Sequence, residues 1–349
     1  MTFEEIYRID ASNMYRLLKE FPLQVEEAAG IGKSASLRLN VSGVRNIILT
    51  GLGGSAIGGD LLRGYLGSEL RLPFIVNRHY ALPGFVGPRT LVIVSSYSGN
   101  TEETIAAHRE AIKRCAKILC ITSGGTTEKI ARSKRQALIT IPGGYPPRAA
   151  LGYSFFPLLT ALSRLGFIKN KSRDVGETVR LLREKSEEYG SPDPSSNRAF
   201  QLAEQLRNRI GVVYASVDRF DAVATRWRGQ VAENAKSLMF GHVLPEMNHN
   251  ELVGWKVPRE QMKGMQVIFL RDKSDHRRVQ KRVDLSKQIL AEYTSRITEV
   301  WSEGNSLLAR VFSLVYLGDW VSLYLAILHG EDPTPVKVID YLKEEMGKK

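Results

Sequence analysis

Between residues 45 and 141, short apolar runs alternate with segments of helical periodicity, and this pattern constrains the chain more than any other feature. The apolar runs read NIILT (46–50), LPFIV (72–76), LVIVS (91–95), KILCIT (117–122) and ALITI (137–141). Between them lie SAIGGDLLRGYL, TEETIAAHREAIKRC and TTEKIARSK. Strand–helix alternation at this spacing predicts a parallel sheet with helices on both faces.

A second, weaker round follows. RAFQLAEQLRNR reads as a helix, IGVVYAS as a strand and DAVATRWRGQVAENAKSLMF as a helix. MQVIFLRD, a basic helix, RITEVWSEG and a long apolar helix complete it, and a tail helix follows two prolines in DPTPVKVIDYLKEEMGKK. The chain has 349 residues, more than one ordinary core accommodates. The expectation is an α/β protein of two tandem three-layer αβα sandwiches with mostly parallel sheets. The first spans residues 1–152, with one helix expected in its N-terminal 40 residues, and the second spans 153–349, its tail helix returning toward the site.

The N-terminus, MTFEEIYRIDASNMYRLL, has neither the basic start nor the apolar core of a signal peptide. Arg310 and Asp319 interrupt the one long apolar stretch, SLLARVFSLVYLGDWVSLYLAIL, and Gly318 weakens it. It reads as a buried amphipathic helix rather than a membrane span. Two cysteines, Cys115 and Cys120, make neither a disulfide framework nor a metal motif, and reduced thiols fit the cytoplasm. Net charge is +12. The densest basic run, RDKSDHRRVQKRVDLSKQ, interleaves aspartates and lacks stacking aromatics, so it reads as a solvated helix face and not a nucleic-acid patch.

The strand LVIVS ends in SSYSGNTEET, and the strand NIILT in GLGGSAIGGD. Ligands of open parallel sheets bind beyond the carboxyl ends of the strands, at helix N-termini. In both turns small residues let the backbone approach a ligand, and Ser55, Ser96, Ser98 and Thr101 offer hydroxyls to phosphate oxygens. No lysine stands in either loop, which excludes the GxxxxGK[ST] form. Gly51, Gly53 and Ala56 fit G-x-G-x-x-G/A, but the next strand ends IVNRHY without the acid that would hold a ribose, so dinucleotide binding is disfavoured. The alternative for SSYSGNTEET is a capped helix, with Ser98 or Asn100 as N-cap and Glu102 and Glu103 in the first turn.

GLGGSAIGGD together with SSYSGNTEET resembles the sugar isomerase (SIS) fold. Further on, VAENAKS (231–237), LPEMNHNELVGW (244–255) and DPTPVKVIDYLKEE resemble the bifunctional phosphoglucose/phosphomannose isomerases of archaea and some bacteria. The likeness runs from about residue 45 to the end. It implies interconversion of glucose 6-phosphate, fructose 6-phosphate and mannose 6-phosphate through a cis-enediolate, with neither metal nor cofactor. By that resemblance Gly53, Gly54 and Ser55 match the first phosphate loop, and Ser96, Ser98 and Thr101 the second. Glu233 matches the base, and Arg148 the arginine near the reacting carbons. His249 matches a ring-opening histidine shared across a homodimer, and Lys343 the lysine assisting it, with Lys337 as a competitor. Thr334 is the candidate small hydroxyl that leaves room for rotation about C2–C3. The residue types suit this chemistry: a carboxylate base and a cation for the enediolate, a histidine and a lysine for ring opening.

Each residue also has a plainer reading. Glu233 and Lys236 can form a helix surface pair. His249 can serve a turn, and Arg148 can cap a helix. His242, Glu246, His249 and Glu251 can be metal ligands, although their spacing is not H-E-x-x-H. Two other functions stand beside the isomerase. A non-catalytic sugar-phosphate sensor on the same fold would lose the base and histidine, and would often carry a helix-turn-helix domain, which is not seen. An amino-sugar phosphate isomerase would normally adjoin a glutaminase domain with an N-terminal cysteine, where this chain has Thr2.

Overall fold

The structure is a computed structural model describing Thr2–Lys348. Three helices open the chain: α1 (Phe3–Ile9), α2 (Met14–Lys19) and α3 (Phe21–Ser34). The first sheet is built from β1 (Asn46–Thr50), α4 (Gly53–Leu66), β2 (Phe74–Asn77), β3 (Thr90–Ser95), α5 (Glu102–Lys113), β4 (Lys117–Thr122), α6 (Gly125–Ser133) and β5 (Ala137–Thr140). Two helices, α7 (Leu151–Arg164) and α8 (Ser172–Tyr189), lead out of it. The second round comprises α9 (Arg198–Leu206), β6 (Gly211–Ser216), α10 (Asp221–Ala235), β7 (Met239–Leu244), α11 (Glu251–Gly254), α12 (Arg259–Gly264), β8 (Gln266–Arg271), α13 (Arg277–Leu290) and β9 (Ile297–Trp301). The long α14 (Leu307–His329) and the tail helix α15 (Lys337–Gly347) end the chain.

Both sheets are parallel throughout, with strand orders β2-β1-β3-β4-β5 and β7-β6-β8-β9. The period-two alternation of each strand divides its side chains between two cores. Ile47, Leu49, Leu91, Ile93, Leu119 and Ile121 point one way. Ile48, Val92, Val94, Ile118 and Cys120 point the other, against Ala107 of α5 and Ala131 of α6. In the second sheet Val213, Ala215, Ile268 and Leu270 join the same core as Ile47 and Leu91. Val212, Tyr214, Val267 and Phe269 pack outward on Val283 and Leu290 of α13. The two sheets therefore turn one face each toward a common helical middle and cover the other separately. This is the tandem three-layer arrangement expected from the alternation.

Four local expectations are corrected. The helix expected across residues 221–240 stops at Ala235, because Lys236 turns left-handed at φ +53°. The residues beyond it form β7, an edge strand. The N-terminal 40 residues form three helices rather than one, and they reach both halves. Gln24 donates to the Ala149 carbonyl at 2.9 Å, whereas the Tyr316 hydroxyl of α14 donates to Leu18 O at 2.7 Å. Helix α14 is not amphipathic: from Leu308 to Ile327 every residue but Arg310 is buried, with α8, α9 and α10 around it. It is long and apolar enough to cross a membrane by length and composition, but 94% of its apolar window is buried inside the protein. Finally, Arg271, the first residue of the basic run, ends β8 and is buried, pairing with Asp284 at 3.1 Å and lying 4.6 Å from the Trp301 ring centroid. Residues 272–276 form a loop in which Asp272 is buried, and the remainder of the run lies on α13, of which Val283, Ser286 and Leu290 alone are buried.

Candidate active site

β1 lies between β2 and β3, so the chain leaves it in opposite directions on its two sides and opens a crevice above the carboxyl ends of β1 and β3. Both predicted loops meet there. Gly53 takes φ +51° to start α4, and the N-cap position is Leu52, which supplies no side-chain hydrogen bond. α5 starts after Thr101, whose side chain does not cap it either. Two helix N-termini thus present backbone N–H groups that no side chain occupies, the donors an anion uses. The loops approach closely: a Cβ on Gly51 would come within 2.6 Å of Ser95 O. The Ser55 hydroxyl accepts from Tyr97 N at 3.2 Å and ties one loop to the other. Ser96 donates to Thr101 Oγ1 at 3.2 Å, and the Ser98 hydroxyl accepts from Asn100 N at 3.3 Å.

The capped-helix alternative is therefore corrected in its details. Neither Ser98 nor Asn100 caps α5. Asn100 reaches the next helix instead, where its Oδ1 accepts from Thr126 N at 3.0 Å. That crossing needs Gly99 at φ +68°, because a Cβ there would lie 1.8 Å from Gly124 O. The glycine and asparagine that end the first core strands serve to press neighbouring loops together.

Gly54 links this crevice to the reactive groups. A Cβ on it would meet Pro147 O at 2.7 Å, so only glycine lets α4 start against the turn that carries Arg148. Arg148 is buried, and its guanidinium reaches four places. It donates to Asn234 Oδ1 at 2.6 Å, to Pro333 O and Thr334 O at 2.7 Å each, and faces Glu233 Oε2 at 3.4 Å. Burial pulls its pKa below the ordinary arginine value, and the Glu233 carboxylate opposes that pull. An arginine stays cationic under such a shift. Arg148 is thus not a helix cap; it gathers α10 and the tail loop around itself.

Glu233, in the last turn of α10, keeps a side chain 36% exposed beside a nearly buried guanidinium. The plainer reading, a Glu233–Lys236 surface pair, does not hold: the Lys236 ammonium donates to the Glu233 carbonyl at 2.8 Å, and the carboxylate faces Arg148. The Thr334 hydroxyl is buried and makes no hydrogen bond among the described residues. A partly open carboxylate, a fixed cation and an unspent hydroxyl beside two anion-ready helix ends can bind a phosphorylated ligand and move a proton on it.

Three predicted residues are not brought to this centre by the single chain. His249 ends a short 3-10 turn beyond β7 and is exposed. Lys343 and Lys337 lie on α15, which has no buried residue. None of the three hydrogen-bonds to Glu233 or Arg148. α15 does begin nearby, three residues after Thr334, whose carbonyl accepts from Arg148 at 2.7 Å. The metal-ligand alternative does not form: His242 accepts from Val243 N at 2.8 Å, Glu246 from Asn250 Nδ2 at 3.1 Å, and Glu251 from the Tyr214 hydroxyl.

Several residues behind the site escaped sequence reasoning. Asn234 holds Arg148 and in turn donates to the Ser322 hydroxyl at 2.9 Å. Arg226 donates to the Arg148 carbonyl at 2.9 Å and pairs with Asp319 in full burial, with Gln230 bonded to the same carboxylate. A signal existed: Arg226, Gln230 and Asn234 recur every four residues, a polar stripe on one face of the helix.

Two tandem SIS sandwiches with a crevice at the first sheet's switch point define the phosphosugar-isomerase class of fold. Comparison with known proteins agrees. The SIS domain model matches residues 41–161, and the bacterial phospho-glucose isomerase C-terminal SIS domain model matches residues 195–346. A hypothetical protein from Thermus thermophilus shares the fold at TM-score 0.76 and 16% identity, over 99% of this chain and 94% of that one. The bifunctional phosphoglucose/phosphomannose isomerase of Caldicellulosiruptor bescii is 43% identical, over 96% of this chain and 99% of its own length. That of Aquifex aeolicus is 39% identical, over 87% of this chain and 91% of its own. The chain belongs to the bifunctional phosphoglucose/phosphomannose isomerase family.

Proposed function

We propose that this protein is an aldose–ketose isomerase interconverting glucose 6-phosphate and fructose 6-phosphate, and mannose 6-phosphate and fructose 6-phosphate. The observation that carries the reading is the placement of Glu233 and Arg148 against the glycine–serine loops through the Gly54–Pro147 approach. The loops take the phosphate dianion on the two helix N-termini and the hydroxyls of Ser55, Ser96, Ser98 and Thr101. The open-chain sugar then extends toward α10. Glu233 removes the proton from C2 of an aldose, or C1 of the ketose, and returns it to the other carbon. Arg148 holds the negative charge that develops on the enediolate oxygens. The Thr334 hydroxyl borders the space in which the enediolate turns about C2–C3, so that either epimer forms. The reaction is proton transfer alone and takes no metal or nicotinamide.

Ring opening is assigned to His249 of a second copy of the chain, assisted by Lys343. Two observations support a dimer. His249 is exposed and makes no hydrogen bond to its own chain's Glu233. Large apolar side chains are also uncovered on α15 and near β7, among them Val338 at 82%, Tyr341 at 64%, Val253 at 81% and Leu238 at 65% exposure. Unpartnered apolar surface of this kind marks an association face.

A coupled assay on each hexose phosphate tests this, using the wild type, Glu233→Gln, His249→Asn and a refolded mixture of the two variants. The expected results are turnover on all three sugars, unchanged by EDTA, and a loss of roughly 10²–10⁴ in kcat for Glu233→Gln. The mixture should regain about a quarter of wild-type activity, because half the dimers are hybrids with one intact site of two. Near-normal turnover by Glu233→Gln would remove the assigned base, and a mixture no better than its parts would remove the shared histidine.

A further inference from the structure

The tail loop between α14 and α15 is held by two cations that share one of its carbonyls, Pro333 O. Arg148 donates to Pro333 O and Thr334 O, both at 2.7 Å. Lys236 reaches the same loop from the end of α10. Its three N–H groups are shared among four carbonyls: Glu233 O at 2.8 Å and Asp332 O at 2.9 Å most closely, with Pro333 O at 3.2 Å and Asn234 O at 3.3 Å. The last carbonyls of a helix lack intrahelical partners. Lys236 supplies them and spends its remaining capacity on the loop, so one ammonium locks the backbone of Glu233 to the backbone one residue from Thr334. Much of the residue is exposed, but its carbonyl-lined head is not free. Burial and then the neighbouring Arg148 pull its pKa below the ordinary lysine value, while the carboxylates of Asp332, Glu331 and Glu233 oppose that.

What the loop presents is the Thr334 hydroxyl, buried and without a hydrogen-bond partner among the described residues. No hydrogen bond of its own fixes it; the backbone around it does, through Arg148 at Thr334 O and Pro333 O, the Thr334 N–H on Asp332 Oδ1 at 2.9 Å, and Lys236 at Pro333 O and, alone among the cations, at Asp332 O. We propose that Lys236 is a positioning residue for epimer choice: its clamp on residues 332–333 sets where the Thr334 hydroxyl stands relative to Glu233, and thereby the ratio of mannose 6-phosphate to glucose 6-phosphate turnover. The inference rests on the proposed isomerase reading, in which the phosphate loops hold the far end of the substrate. Loosening the clamp therefore acts on the C2 end and leaves phosphate binding alone.

The variant of choice is Lys236→Gly. Position 236 is left-handed at φ +53°, which glycine adopts more readily than lysine, so helix α10 keeps its end while the ammonium is lost. Two measurements follow. Amide hydrogen exchange on the resting protein should show faster uptake across residues 332–336 in Lys236→Gly, and near-normal uptake in Lys236→Arg. In kinetics, kcat for mannose 6-phosphate should fall roughly tenfold more than kcat for glucose 6-phosphate, with both KM values little changed. Thr334→Val should shift the ratio in the wild-type background but add nothing in Lys236→Gly. Unchanged exchange would overturn the clamp whatever the activities. Equal falls in the two activities, or a Thr334→Val effect identical in both backgrounds, would reduce Lys236 to a structural cap and overturn the proposal. A wild-type protein that turns over neither sugar would instead sink the isomerase reading on which the kinetic arm stands.

Discussion

Arg148 shows how much one side chain is asked to do. Its planar fork satisfies an amide oxygen and two main-chain carbonyls and still faces a carboxylate at 3.4 Å. A lysine keeps the charge but offers a single point with three donors and no fixed geometry. In Arg148→Lys, Pro333 O keeps its bond from Lys236, but Asn234 Oδ1 or Thr334 O is stranded, at a cost of about 1–3 kcal/mol in stability. Under the proposed mechanism the cation also shifts from the place assigned to the enediolate charge, and kcat is expected to fall about 10²-fold or more, a loss comparable to removing one oxyanion donor. Urea melts beside steady-state kinetics check both parts. Activity falling without loss of stability would show that Arg148 does not brace the loop. That Arg148 and Glu233 lie together was legible from residue types and family likeness. The partners that aim Arg148 were not, because Asn234 and Pro333 lie 86 and 185 positions away along the chain, and no local pattern carries a pairing that long.

At the scale of elements, α10 and α14 decide the site together. Trp227 is fully buried, packs against α14, and donates its indole N–H to Leu314 O at 2.8 Å. That approach exists because position 318 is glycine: a Cβ there would lie 2.3 Å from the Trp227 ring nitrogen. Gly318→Ala is therefore expected to cost about 1–3 kcal/mol by overpacking, despite alanine's better helix propensity. Trp227 is less than two turns before Glu233, so the same change should lower kcat as α10 is pushed off its seat. A thermal melt with kinetics at a temperature well below the transition separates the two effects, and a Gly318→Ala protein as stable as the wild type would refute the close approach. Gly318 read in the sequence as a weakness in an apolar helix; in the fold it is the point where two helices touch. The strands of the first sheet were legible because their alternation is local and strong. β7 was not, since Gly241 and His242 dilute its apolar run and Ser237-Leu238-Met239 continues the period of the preceding helix. Gly241 is needed there for a tertiary reason, as a Cβ would lie 2.4 Å from Val213 O. The interior of α14 was misread in a related way: a helix covered on every side has no polar stripe to betray its orientation.

The whole molecule has a single apolar core between its two sheets, although the sequence reads as two domains. Ile47 and Leu91 of the first sheet and Val213 and Ile268 of the second belong to one continuous cluster through α3, α7, α10 and α14. The N-terminal helices fasten the same seam. Tyr15 donates to Gly190 O at 2.6 Å and packs edge-on against Trp320 at 5.2 Å, while Gln24 bonds to both Ala149 O and Gly152 N beside the Arg148 turn. Exposing either half would uncover the middle of the other, so neither sandwich keeps its inner face dry alone. The expectation is one cooperative unfolding transition rather than two. The chain is suited to the test, because its four tryptophans, Trp227, Trp255, Trp301 and Trp320, all lie in the second half. Fluorescence therefore follows that half, and far-ultraviolet circular dichroism follows both. At fixed protein concentration, which must be held because the proposed dimer would couple stability to concentration, the two urea curves should superimpose with one midpoint. A fluorescence transition displaced from the dichroism curve would show the halves unfolding independently. The shared helical middle would then be an interface between two domains rather than one core, and Glu233 and the glycine–serine loops would owe their alignment to docking instead of to the fold.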